Sequence, residues 1–300
     1  MSSLNISIAN LNFTVHSGVL PILAEPLSPS YLPFVGTNQG HICEPPAIDI
    51  LIETEVFPST REMTEILENC GSWSMLKKGN DYYLVINPAL SEGPESIVRF
   101  EPCFDNVTVY CRDMSIVEVE GSKFVRNPFT YPLDQILVMY VLAERRGALL
   151  HSSGVVCDGK VYVFCGKSGA GKSTVSRHFR SAGYEVLSDD RIAARKMGDA
   201  FWAFGTPWSG EAGISMNKGL PLGGIFFISH HHDNVIREIT PAGAAERLMP
   251  ITSIPWYDQR AMTGILSFCE EVVLGVPAYE LQLRPEREVV DYIERFMSRQ

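Results

Sequence analysis

The sequence predicts a mainly β domain over residues 1–130, followed by an α/β domain over residues 131–300. Three observations carry that division. Short runs of alternating apolar and polar residues dominate the first part, at the period of half-buried strands. From Leu133 onward, helical and strand periods alternate along the chain. Between them, one glycine-rich stretch follows an apolar strand and opens a helix: Gly166-Lys167-Ser168-Gly169-Ala170-Gly171-Lys172-Ser173-Thr174, directly after residues 161–165.

Composition sets the outer bounds. Three hundred residues are enough for two domains with a buried core. A hydrophobic content of 45% and a charged content of 20% belong to an ordinary globular chain. A formal net charge of −10 argues against a nucleic-acid surface or an anionic membrane as the main partner. No apolar run is long enough to span a bilayer, and the first residues lack a basic region followed by an apolar core. The seven cysteines are scattered and form no C-x-x-C pair, so reduced thiols in a cytoplasmic protein are the simplest expectation.

In the N-terminal part, residues 5–8, 12–15, 47–53, 82–86, 97–100, 107–111 and 116–119 read as strands. Turn formers such as Lys78-Gly79-Asn80 and Glu120-Gly121-Ser122 separate them. Residues 58–67 read as one short helix, and the whole as a mainly antiparallel module. Cys103 and Cys111 fall on strand positions where buried structural thiols are expected. No spacing here suggests catalysis; recognition or assembly is the default role.

Residues 133–146 are helical by apolar spacing, with Gly147 as the stop. Residues 148–157 then form a strand, and Asp158-Gly159 turns the chain back into the strand 161–165 as a hairpin. The stretch 166–173 fits G-x-x-x-x-G-K-[ST], a phosphate-binding loop. Backbone N–H groups grip phosphate best where no side chain blocks the approach, and a helix N-terminus adds a favourable dipole. Lys172 would reach the β- and γ-phosphates of a nucleotide, and the Ser173 hydroxyl would complete the shell of a bound Mg²⁺. The chain is therefore expected to bind ATP with Mg²⁺.

A helix over 173–182 ends at Gly183, and the strand 184–188 runs into Asp189-Asp190-Arg191. Carboxylates at that end of a strand can handle the metal and the proton of an attacking hydroxyl. The bland alternative makes the pair a turn or a cap.

The span from His151 to Arg191 resembles the catalytic core of the HPr kinase/phosphorylase family and its phosphoenolpyruvate-carboxykinase-like relatives. The shared features are a hairpin-borne His, the loop 166–173, a helix, and a strand ending in Asp-Asp. The resemblance implies a P-loop kinase domain in which Asp189 is the base for a Ser or Thr hydroxyl. It further implies that Asp190 assists the metal and that His151 lies beside the reacting phosphate. The bland view of His151 is a hydrogen-bonded core histidine. The family's acidic-Arg-Gly signature and basic loop are missing after Asp190. Glu211 is the residue here that can take the place of the signature's acid as a metal or substrate contact. Arg260 and Lys218 are the candidate mobile cations. The resemblance covers the C-terminal half and does not extend to the dephosphorylating activity or to HPr as the substrate.

The strand 222–229 is followed by His230-His231-His232-Asp233, whose side chains alternate along an extended chain and so do not converge on a metal. Further helices are expected over 242–248, 258–273 and 285–297, with strands at 236–239 and 277–283. The reading is a kinase acting on a hydroxyl of a protein, a peptide or a small molecule, with a homo-oligomer allowed. The alternative is an ATP-binding sensor or assembly module with little or no phosphotransfer, and a carboxykinase of a C3 acid ranks third. An Asp189 carboxylate turned away and tied up as a cap favours the sensor.

Overall fold

The computed structural model describes residues 2–23, 28–36, 47–69, 72–87, 93–102, 104, 106–167, 169–284 and 286–299. Two compact units divide the chain: Met1–Leu27 with Val35–Val138, and Ser28–Phe34 with Met139–Gln300. The division falls inside helix α1 (Leu133–Glu144).

In the first unit the strands are β1 (Ser2–Ile8), β2 (Leu11–Ser17), β3 (Ile22–Leu23), β4 (Ile48–Glu53), β5 (Thr64–Asn69) and β6 (Trp73–Lys78). They continue with β7 (Asp81–Ile86), β8 (Ser96–Phe100), β9 (Asn106–Cys111), β10 (Ile116–Val119) and β11 (Ser122–Arg126). Eight of them form one sheet in the order β1-β2-β4-β9-β8-β7-β6-β5. Neighbours pair antiparallel except β2 with β4 and β4 with β9, which are parallel. Alternation is clean in β2, where Leu11, Phe13, Val15 and Ser17 point inward. Residues 58–67 contain no helix. Residues 54–63 are irregular and Thr64 starts β5, which pairs antiparallel with β6. A single short helix is marginal in water, and ladder bonding to a neighbouring strand outweighs it. Cys103 lies outside the described residues; Cys111 is buried and reduced.

The second unit holds β12 (Gly147–Cys157), β13 (Lys160–Cys165), β14 (Val186–Ser188), β15 (Arg191–Met197) and β16 (Ala200–Gly205). After these come β17 (Gly219–His230), β18 (Val235–Glu238) and β19 (Ala278–Leu283). Its helices, after α1, are α2 (Lys172–Ser181), α3 (Pro241–Leu248), α4 (Gln259–Gly275) and α5 (Val289–Met297). The expected hairpin is present: β12 and β13 pair antiparallel from Ser152–Cys165 to Cys157–Lys160. Asp158 (φ 48°) and Gly159 (φ 73°) supply the left-handed pair that a tight hairpin turn requires. Helix α1 ends at Glu144, two residues earlier than expected, and Arg146 (φ 51°) rather than Gly147 takes the left-handed backbone.

Two long strands change partners along their length. β12 pairs β15 through Gly147–His151 and β13 beyond it. β17 pairs β16 at its start, then lies parallel to both β13 and β19. The strand before the glycine-rich loop therefore has β12 on one side and β17 on the other. Helices α2 and α5 cover one face through Val175, Phe179, Val289 and Ile293, packed on Phe164, Phe226 and Leu281. Helix α3 packs on α4 and β19, and α4 packs on β12 and β15.

Candidate active site

The loop between β13 and α2 owes its shape to its glycines. Gly169 (φ 80°) and Gly171 (φ 102°) take left-handed backbone, and a Cβ on Gly166 would stand 2.8 Å from the Cβ of Ala170. Ser168 lies outside the described residues. Gly171 is the N-cap of α2 and offers no side chain, so Lys172, Ser173 and Thr174 open the helix with amides that no side-chain cap takes up. Such amides, with the helix dipole behind them, are suited to an anion.

The Lys172 ammonium donates to the carbonyls of Gly166 (2.8 Å) and Lys167 (3.3 Å), inside the turn that a phosphate chain would follow. Burial lowers its pKa, and the Asp190 carboxylate pulls the other way. Cys165, at the last position of β13, is fully buried, and burial pushes its thiol up to about 12. An alkylating reagent at pH 8 should leave the Cys165 peptide unmodified in the folded chain and label it in denaturant, as read by mass mapping. Rapid native labelling would mean that this end of β13 opens freely.

Across the hairpin, His151 stands one position beyond the Ser152–Cys165 pair, away from the turn, and so lies level with the start of the loop. It also pairs with Arg191 of β15. This brings the His151 Nδ1 to 3.1 Å from the Asp190 Oδ1, while Arg191 Nε stands 3.5 Å from Oδ2. His151 and Asp190 side chains are each about a third exposed (31%), so the pair is open to a ligand. The His151 ring beside it, helped by Arg191 and Lys172, holds the Asp190 carboxyl below its ordinary range despite partial burial. Ser188 Oγ accepts from the amides of Asp190 and Arg191 and fixes the strand exit. Arg191 also donates to Ser253 Oγ at 3.3 Å.

Asp189 has a different place from the one expected of a base. It is 2% exposed. Its Oδ1 accepts from the amides of Gly210 (2.9 Å) and Ile214 (3.2 Å), and its Oδ2 from that of Ala212 (2.7 Å). A Cβ at position 210 would come within 2.9 Å of Oδ2, so glycine lets this loop close on the carboxylate. The carboxylate is consumed in holding residues 210–214, which is the cap reading of the Asp-Asp pair. The physical reason is that two consecutive residues at a strand end point opposite ways: Asp189 turns inward and Asp190 toward the loop.

Glu211 sits on that tethered loop with its side chain exposed. Among the described residues no group of three His, Cys, Asp or Glu side chains clusters as a metal site, the run His230 to Asp233 included. Arg260 pairs with Glu144 at 2.9 Å, and Lys218 pairs with Glu185. Two residues gain a place that sequence reading missed. Arg191 was visible in Asp-Asp-Arg but carried no assigned role. His230, weighed only as a metal ligand, has its Nε2 2.8 Å from the Gly169 carbonyl of the loop.

Residues 161–203 match the family model described as AAA domain, a span that contains all of β13 but its first residue, the loop, α2 and Asp189-Asp190-Arg191. A P-loop-like domain lies in this span. No curated protein matches the chain. Among solved structures, the Hpr(Ser) kinase/phosphatase from Coxiella burnetii is 13% identical, over 50% of this chain and 88% of that one, at a TM-score of 0.32. Among the described residues no helix of the chain is long and apolar enough to cross a membrane.

Proposed function

We propose that the second unit is an ATP-dependent kinase of the HPr-kinase-like kind, transferring the γ-phosphate to a hydroxyl of a protein, a peptide or a small molecule. One observation carries the reading: the open His151–Asp190–Arg191 group stands one strand away from the phosphate loop. The resemblance of His151, the loop and Asp189-Asp190 to that family points the same way. Base duty passes from Asp189 to Asp190, because a general base must be ionised and reachable. The acceptor oxygen attacks the γ-phosphorus in line, the bond to the β-γ bridging oxygen breaks, and Asp190 takes the hydroxyl proton as ADP leaves. Lys172 leaves its loop carbonyls to hold the β- and γ-phosphates. The His151 ring orients the carboxylate.

Mg²⁺ fits the donors present. It keeps several waters and leans on phosphate oxygens with one or two protein oxygens, which Ser173 and Asp190 can supply. Glu211 remains a further candidate. The ion would neutralise charge that builds up on the transferring phosphoryl group.

The tethered Asp189 favours a second reading, a nucleotide sensor or assembly module with little turnover. One experiment separates the two. The protein is incubated with ATP labelled on the γ-phosphate and with fractions of its host lysate, and the species that gains label is identified. Transfer to one defined hydroxyl supports the kinase; nucleotide binding with no labelled acceptor supports the sensor. Lys172→Ala should weaken ADP binding by about 10-fold or more, the scale of a lost charge-assisted contact, as read by calorimetry. Unchanged affinity would remove Lys172 from the site.

A further inference from the structure

We infer that the cleft on the β17 side of the loop seats the nucleoside half of the nucleotide, and that it favours a base with an exocyclic amine. The inference rests on the loop being the phosphate site. The loop leaves β13 between two neighbours, β12 and β17. His151 and Asp190 stand on the β12 side. A phosphate chain whose reacting end faces Asp190 must carry its nucleoside toward β17. There the structure has a cleft of about 700 Å³, a size suited to a small molecule.

Away from the loop, its walls fit a nucleoside better than a second anion. Gly169 and Ala170 of the loop border it on one side, and Phe227, Pro250 and Ile251 give it apolar walls. Ile228 belongs to the core under α2 and α5, so Phe227 and Ser229 alternate to the opposite face, toward the cleft. At the rim stand Glu246 and Glu280. Of the cations that line the cleft, Lys167 belongs to the phosphate loop itself, and Arg247 lies 3.8 Å from Glu280 and also donates to the Gly243 carbonyl. Glu246 is exposed and makes no ion pair among the described residues. Ionised carboxylates only accept hydrogen bonds, so they select a base edge that donates, as an exocyclic amine does. They also repel phosphate, which keeps the triphosphate on the loop.

The test compares ATP, ITP and inorganic tripolyphosphate on the full chain by calorimetry. Ser229→Trp, at an exposed strand position, fills the cleft; Glu246→Ala, on the exposed side of α3, removes an acceptor without filling anything. The parent should bind ATP more tightly than tripolyphosphate and than ITP. Ser229→Trp should weaken ATP by about 10-fold or more and leave tripolyphosphate within about twofold. Glu246→Ala should erase most of the preference for ATP over ITP. If tripolyphosphate binds the parent as tightly as ATP, or if Ser229→Trp weakens both alike, the cleft is not the nucleoside seat. If Ser229→Trp spares ATP binding but stops transfer, the cleft belongs to the acceptor and the assignment falls. Equal affinity of the parent for ATP and ITP would overturn the amine preference. Failure of tripolyphosphate to bind the parent at all would instead remove the loop as phosphate site, and this inference with it.

Discussion

Asp190→Asn is expected to lower phosphoryl transfer by about 10²–10⁴-fold, the usual contribution of a general base, while ADP binding stays within a few-fold. The substitution keeps the shape of the side chain and removes the charge that faces His151 at 3.1 Å. The pH dependence follows from the direction of the shift. The His151 contact, with Arg191 and Lys172 behind it, depresses the Asp190 pKa in the folded chain. A depressed carboxyl contributes stability that is fully present above its unfolded value and is lost as pH falls through the lower folded value. Because the group is partly exposed, solvent screening keeps that contribution small. The rate should likewise fall only below the ordinary carboxylate range. Label transfer across a pH series measures both effects. A full rate in Asp190→Asn would sink the assignment, and an acid limb near neutrality would hand the base role to an imidazole.

Asp189→Asn should act on the fold first. The variant is expected to lose about 2–4 kcal/mol of stability, because buried hydrogen bonds to a charged group are worth about 1.5–3 kcal/mol each and an unsatisfied buried donor costs further. An asparagine can place its oxygen toward Gly210 and Ile214, but its NH₂ then meets the Ala212 amide, donor against donor. Urea unfolding of the second unit's transition reads the change. An Asp189→Asn chain as stable as the parent, yet dead in transfer, would return the base role to Asp189.

The two aspartates show where reading the sequence stopped. Their position after the loop, one helix and one strand on, was legible from spacing. Which of them points at a ligand depended on what lies on either side of the strand end, and the inward partner is a loop some twenty residues later in the chain. Gly210 and Gly213 were visible in the sequence, but nothing local says that the intervening amides close on a carboxylate. His230 was hidden in the same way: its meaning comes from β17 running parallel to β13, a pairing between distant segments. The helix expected at residues 58–67 failed for a related reason, since only the neighbouring β6 makes that stretch a strand.

Local chemistry, by contrast, acts within a few residues and was written in the chain. Asp158-Gly159 turns the hairpin because both positions tolerate left-handed backbone. The loop 166–174 follows from glycines that permit close approach, and α5 from an apolar stripe whose Val289, Val290, Ile293 and Met297 are buried. The sequence alone therefore determined a phosphate loop on a hairpin and the element order around it. Tertiary structure decided which carboxylate is left open beside that loop and which side of it holds the cleft. Those outcomes depend on which distant backbone amides and side chains pack against each group, and packing of that kind has no period to read.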